Sequence, residues 1–412
     1  MKNKFLLEMS SRGYINQCTD FSQLERICNK QSISAYIGFD CTASSLHVGS
    51  LLQIMILRLM QKHGHRPIIL LGGGTTLIGD PSGKDSTRKI LSPKQIKSNA
   101  QSIKKVFKKI LDNSNIKTKP LFVDNAKWLT KLNYIQFLRD IGSNFTINKM
   151  LTFDSVKLRL EREQSLSYME FNYMILQAYD FYQLFKKNNC ILQIGGSDQW
   201  GNIVSGVDLI RRMIKKESFG LTSPLITLAS GSKMGKTEKG AIWLNENLLS
   251  PYEYWQFWRN TDDRDVKRFF NFFTEIDPNE VDELFKKESN INKLKVILAN
   301  EATKILHGEN ESVKAEKTAK ETFERKGISQ NLPEIKVLLK NIEKGINLLD
   351  FLSNHKITSS KSDARRIIAS RGLKINDVLV INEKKELILN DFKKKILKIS
   401  CGKKKHYIVK II

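Results

Sequence analysis

At 412 residues the chain has room for two or three domains, and its composition, 41% hydrophobic and 27% charged, is globular rather than disordered or fibrous. The formal net charge of +25, from 68 Lys and Arg against 43 Asp and Glu, points to a polyanionic partner. A lysine-rich coding bias would raise the charge everywhere, yet residues 331–412 alone hold 19 Lys and Arg against 8 Asp and Glu, so the basic charge is densest in the tail. The five cysteines (18, 28, 41, 190 and 401) lack metal-binding spacing and read as thiols of a reducing cytosol; no resident metal is expected. The apolar patch Phe5–Leu7 is too short for a signal peptide, and no apolar run approaches the roughly 20 residues of a membrane span. A cytoplasmic protein without membrane contact is expected.

Residues 1–30 read as a short helical segment without chemistry. The run Ile33–Ile37 is β-branched and apolar, a buried strand. Gly38, Asp40, Thr42, Ser44 and Ser45 then turn the chain. From Val48 the apolar residues recur at helical spacing through Leu51, Leu52, Met55 and Leu59. His47, Gly49 and Ser50 fall in that first turn, where unpaired backbone N–H groups suit a phosphate, and Gly49 lets a flat ring lie against the backbone. An ordinary strand-to-helix turn has the same pattern. After a turn at 63–67, Ile68–Leu71 is a second buried strand running into the glycine-rich loop 72–84. Its spacing is not that of a Walker A loop. Asp80, Lys84 and Arg88 lie in or just after it.

Ser92-Pro93 opens a helix whose apolar face is Ile96, Ile103, Phe107 and Ile110. Pro120–Val123 is a short strand ending in Asp124-Asn125-Ala126-Lys127-Trp128, and 130–165 read as helices of mixed charge. Residues 168–186 contain neither Gly nor Pro and predict one helix. On it Tyr173, Gln177 and Asp180 share a face, a phenol, an amide and a carboxylate suited to a small polar ligand. Cys190–Ile194 is a further strand, followed by Gly195-Gly196-Ser197-Asp198-Gln199-Trp200 and a helix. An Asp just past a strand end suits a ribose diol. Arg211 and Arg212 close that helix with a basic cluster, an RNA contact or a solvated helix end. Lys233-Met234-Gly235-Lys236-Thr237 is expected as a loop able to close on a polyphosphate.

In this order and separation, these stretches resemble the bacterial tyrosyl-tRNA synthetase family, within the class I aminoacyl-tRNA synthetases. His47-Val48-Gly49-Ser50 stands for the HIGH signature, with Ser50 where a second His is usual, and Lys233–Thr237 is a variant of the KMSKS loop. The resemblance implies an α/β fold: a Rossmann-like parallel-sheet catalytic domain over 1–222 with an inserted helical dimerisation region. The lysine loop and an α-helical domain would follow over 223–327, then a linker over 328–345. A small α+β RNA-binding module of ribosomal-protein type would fill 346–412. Within that module, Asp363 is expected to cap a helix whose Arg365 and Arg366 face phosphates.

The implied reaction is ATP-dependent activation of L-tyrosine to tyrosyl-adenylate and transfer to the 3′ end of tRNA(Tyr), by a homodimer, with Mg²⁺ arriving on ATP. The resemblance places Tyr36 and Asp180 at the substrate phenol, Asp80, Tyr173 and Gln177 at its ammonium, and Gln199 among the tyrosine contacts. It places Gly38, Asp40, Thr42, His47, Gly49, Gly196, Asp198 and Lys236 around ATP. His47, Ser50, Lys84, Arg88, Lys233, Lys236 and Thr237 would stabilise charge building on the phosphates. A small-molecule nucleotidylyltransferase shares the H-x-G turn but has no use for the basic module. A catalytically silent RNA-binding protein would have no use for the lysines and glycines.

Overall fold

The computed structural model describes residues 3–80, 91–112, 114–232, 234–237, 240–324, 332–343, 345–393, 395–402 and 405–412. The chain divides into two compact units, Met1–Gly235 with Lys267–Leu284, and Lys236–Val266 with Phe285–Ile412.

The first unit is organised by a six-stranded sheet: β1 (Gln17–Cys18), β2 (Ser34–Asp40), β3 (Arg66–Gly72), β4 (Leu121–Asp124), β5 (Cys190–Gly196) and β6 (Phe219–Ser223). Their order across the sheet is β1-β6-β5-β2-β3-β4. All neighbours from β6 to β4 are parallel, and only β1 runs antiparallel, at the edge. The parallel strands need helical crossovers, which bury both faces of the sheet. Leu51–Lys62, Pro93–Ile110, Tyr173–Asn188 and Trp200–Ile214 supply them. The chain leaves β2 through β3 to β4, then returns to the other side of β2 to form β5 and β6. The direction of winding therefore reverses between β2 and β5. Strand ends diverge at such a point and leave a crevice for a ligand.

The stretch 168–186, expected as one helix, is two: Tyr168–Phe171 and Tyr173–Asn188. The division falls at Asn172, whose Nδ2 donates to the Tyr168 carbonyl at 2.8 Å, and a capping box starts the first piece. Ser167 Oγ accepts from Glu170 N, the Glu170 carboxylate accepts from Ser167 N, and the buried Arg159 pairs with Glu170 at 3.2 Å. That closes one turn, and the second helix begins after Asn172.

In the second unit, Pro251–Arg259 packs on Ile291–His307 and Glu309–Glu324. The fully buried Trp255 and Trp258 fill that contact, and Trp255 Nε1 donates to Asn300 Oδ1 at 2.7 Å. The lysine loop was expected to lack regular structure. Instead β7 (Lys236–Thr237) pairs antiparallel with β8 (Gly240–Ala241).

The C-terminal part carries β9 (Glu334–Val337), β10 (Ile346–Asn347), β11 (Leu373–Ile375), β12 (Val378–Leu379), β13 (Glu386–Leu387), β14 (Ile396–Cys401) and β15 (Lys405–Ile411). A five-stranded sheet runs β12-β11-β14-β15-β9 with helices Leu348–Asn354 and Lys361–Ala369. The stretch 328–345, expected as a linker, contributes β9, parallel to β15, because Ile335 and Val337 pack into the module's core. The helix cap also differs from expectation. Ser360 Oγ, not Asp363, accepts from the backbone at the start of Lys361–Ala369. Asp363 instead accepts from Ser359 N and Arg366. Among the described residues no helix is long and apolar enough to cross a membrane.

Candidate active site

The crevice between β2 and β5 holds a cavity of about 310 Å³. Its wall includes Tyr36, Gly38 and Asp40 from β2, Gly49 and Ser50 from the turn that follows, and Asp80. Tyr173, Gln177 and Asp180 project from one helix, and Gly196, Asp198 and Gln199 from the end of β5. Three stretches far apart in sequence thus meet in one space. Thr42 and His47, expected around ATP, are not among the residues that line it, and Thr42 is exposed.

At one end Asp180 is 1% exposed. Its carboxylate is held by two donors: Trp128 Nε1–H reaches Oδ1 at 2.7 Å, and Asn125 Nδ2–H reaches Oδ2 at 2.8 Å. Asn125 is fixed in turn, because its Oδ1 accepts from Gly74 N at 2.7 Å. Burial pushes the Asp180 carboxyl up to about 8 despite these donors, and the carboxylates of Asp40 and Asp124 add to the rise. Tyr36, on β2, is equally buried, and its hydroxyl has no hydrogen-bond partner among the described residues. Burial and the nearby Asp180 push its phenol well above the usual range. The orphaned hydroxyl and the buried carboxylate line the same cavity, and the hydroxyl lacks a partner there among the described residues.

The middle of the cavity is a chain of amides and carboxylates. Gln199 Nε2 donates to Asp80 Oδ2 at 2.9 Å. Asn202 Nδ2 donates to both Gln199 Oε1 and Gln177 Oε1, at 3.1 and 3.2 Å. Tyr173 OH donates to Asp40 Oδ2 at 3.2 Å, and Thr75 Oγ1 donates to Asp40 Oδ1 at 2.8 Å. Tyr173, expected at the ammonium, thus also aligns Asp40.

At the other end, His47 caps its own helix turn, its Nδ1 accepting from Gly49 N at 3.0 Å. The backbone of Met234 and Gly235 lies against this turn. A Cβ on Gly49 would stand 2.6 Å from the Met234 carbonyl oxygen. Gly235 has a φ of +115°, and a Cβ there would stand 2.6 Å from His47 Nδ1. The lysine segment therefore touches the HIGH-like turn backbone to backbone, which glycine at both positions permits. Lys84, Arg88 and Lys233 lie outside the described residues; Lys236 and Thr237 form β7. Arg211 pairs with Asp208, Arg212 donates to Asn144 O, and Arg365 and Arg366 pair with Glu383 and Asp363. All four are exposed.

Sequence reasoning missed Asn125, Trp128, Thr75 and Asn202. The first two had a signal: they follow directly on the carboxyl end of a strand, where ligand-facing groups of such sheets gather.

A winding reversal, a cavity at that point and glycine turns facing it define an α/β protein with a ligand crevice at the carboxyl ends of its strands. The family model for tRNA synthetases class I (W and Y) matches residues 28–324, and the chain belongs to that family. It is similar to the tyrosine–tRNA ligase of Pelagibacter ubique strain HTCC1062, at 58% identity over 100% of both chains. It is also similar to that of Rickettsia prowazekii strain Madrid E, at 52% identity over 99% of this chain and 100% of that one. Among solved structures it resembles a C-terminally truncated mitochondrial tyrosyl-tRNA synthetase of Aspergillus nidulans. There the TM-score is 0.70 at 29% identity, covering 78% of this chain and 95% of that one.

Proposed function

We infer that this chain is a tyrosine–tRNA ligase, which activates L-tyrosine with ATP and transfers it to the 3′ end of tRNA(Tyr). The observation that carries this reading is the pairing of a buried, doubly held Asp180 carboxylate with an orphaned Tyr36 hydroxyl in one cavity. A substrate phenol donates to Asp180 and accepts from Tyr36, completing both. Phenylalanine would leave the Tyr36 hydroxyl unpaired and give the buried Asp180 no phenol donor, and an unpaired buried polar group is costly.

The amino acid's ammonium is read by Asp80, Tyr173 and Gln177, which the amide chain through Asn202 and Gln199 holds in place. Gly38, Asp40, Gly196 and Asp198 face the adenosine. Tyrosine's carboxylate oxygen attacks the α-phosphorus; the bond to the bridging oxygen breaks, and pyrophosphate leaves. The nucleophile is already an anion, so no general base is needed, and catalysis is positioning plus stabilisation of charge on phosphate oxygens. His47 holds the turn whose Gly49 and Ser50 face the phosphates. Lys84, Arg88, Lys233, Lys236 and Thr237 grip the leaving pyrophosphate. The terminal ribose hydroxyl of tRNA then attacks the aminoacyl carbonyl, and AMP leaves.

Mg²⁺ is taken to arrive with the triphosphate, whose oxygens supply ligands to it. When bound, Mg²⁺ would neutralise phosphate charge. Homodimerisation through the inserted helices is supported by the exposed apolar residues Ile135, Ile147, Leu158 and Tyr168. RNA is assigned to Arg211 and Arg212 and to the basic C-terminal module through Arg365 and Arg366, and the location is cytoplasmic.

Equilibrium binding of tyrosine and of ATP to Asp180→Ala tests the pocket. Tyrosine affinity should fall about a hundredfold or more while ATP affinity stays. Unchanged tyrosine affinity would remove the assignment.

A further inference from the structure

The C-terminal module has its own apolar core, which runs from Val337 to Ile411 and among the described residues draws no member from the helices of 251–324. That core is thus not shared with those helices, and a polar contact at its margin joins the two. This contact is built from two rigid elements. Tyr407, on β15 and only 8% exposed, packs its ring into the module core and donates its hydroxyl to Glu253 Oε1 at 3.0 Å. Glu253 is equally constrained. Its other oxygen, Oε2, accepts from Ser250 N and Oγ in the box that caps Pro251–Arg259. That helix is locked by Trp255 and Trp258, and it follows the β7–β8 lysine hairpin in the same unit.

We propose that Tyr407, through its hydrogen bond to Glu253, is a positioning residue for the transfer of the aminoacyl group to tRNA. It holds the RNA-binding module at a fixed angle to the helix that follows the lysine hairpin. RNA seated on the module is then presented in one register, without first ordering a free module. The inference rests on the reading of the module as the RNA-binding part. Adenylate formation uses none of these groups and is indifferent to them.

Tyr407→Phe keeps the ring and removes only the donor, so the core and the melting temperature should be preserved. In the full chain its KM for tRNA in aminoacylation should rise about three- to tenfold, with pyrophosphate exchange unchanged. Small-angle X-ray scattering should show a larger maximum dimension. Glu253→Gln keeps one oxygen for the cap and turns its amide N–H to the Tyr407 hydroxyl, which can accept it, and should stay within about twofold of the parent. An unchanged scattering profile with unchanged KM for tRNA would overturn the proposal, and a lowered KM would make the contact inhibitory and overturn it too. The RNA reading is tested separately by Arg365→Gln with Arg366→Gln. If that double variant charges tRNA normally, the module reading fails, while the scattering of Tyr407→Phe still reports on the tether.

Discussion

The indole N–H of Trp128 donates to the carboxylate of Asp180 at 2.7 Å, although the two residues are 52 positions apart. Trp128 follows β4, and Asp180 sits on the helix that precedes β5. The bond fixes which way a buried carboxylate points, and with it the group at the phenol end of the cavity.

Removing that donor should therefore act on tyrosine and not on ATP. Trp128→Phe retains a ring but leaves one Asp180 oxygen without a partner. Hydrogen bonds to charged groups contribute about 1.5–3 kcal/mol, so KM for tyrosine should rise about ten- to a hundredfold. Asn125→Ala should do the same. The double variant should be less than additive, since both act through one carboxylate. Steady-state pyrophosphate exchange with tyrosine and ATP varied separately measures this.

The carboxyl of Asp180 is raised to about 8 in the folded, ligand-free protein, against an ordinary value near 3.8. The folded state thus binds a proton that the unfolded state has released between these values. Its stabilising contribution is complete below about pH 4 and is lost as pH rises towards 8. Asp180→Asn should remove this loss, so denaturation midpoints of the two proteins should diverge steadily from pH 4 to 8, the variant becoming relatively more stable. Bound tyrosine reverses the balance, because the phenol favours the ionised form. Its binding should tighten from pH 6 to 8 and release a proton, which calorimetry in buffers of different ionisation enthalpy detects.

Glu8 behaves in the opposite sense. Burial works against its charge, but hydrogen bonds from His63, Lys62 and Arg12 hold it down to about 2. Arg12 also donates to the carbonyls of Asn271 and Thr274, so the cluster ties the first helix to residues 271–276. A depressed carboxyl stabilises above its unfolded value of about 4.5 and loses that contribution as pH falls towards 2. Glu8→Gln should cost about 1–3 kcal/mol at pH 7. The difference from wild type should shrink between pH 4.5 and 2 in chemical denaturation.

Gly49→Ala places a Cβ against the Met234 carbonyl and must push the lysine segment away from the HIGH-like turn. The single-turnover rate of adenylate formation should fall at least about tenfold, with tyrosine affinity unchanged. Equal loss in both would show that the glycine serves the whole fold.

Much of this was legible in the sequence. Apolar strands punctuated by glycine turns announced the parallel sheet, and the helical spacing of Tyr173, Gln177 and Asp180 placed all three on the cavity wall. What was hidden depends on tertiary contact. The partners of Asp180 lie 55 and 52 residues earlier, at the start of the same long β4–β5 connection, and no local pattern joins Asn125 to residue 180. The break falls at Asn172, whose side-chain amide donates to the Tyr168 carbonyl at 2.8 Å, a contact that composition does not announce. Strand β9 was hidden because its alternation runs for only four residues after Pro333, too short to stand out. Thr42 follows the sheet but faces solvent, which turn composition does not reveal.

ATP–pyrophosphate exchange by the purified full chain, run with each of the common amino acids in turn, tests the central claim most directly. Exchange should depend on tyrosine, with phenylalanine supporting it only at a small fraction of the tyrosine rate. Equal rates with tyrosine and phenylalanine, or exchange driven by another amino acid, would contradict the assignment of Asp180 and Tyr36 to a substrate phenol.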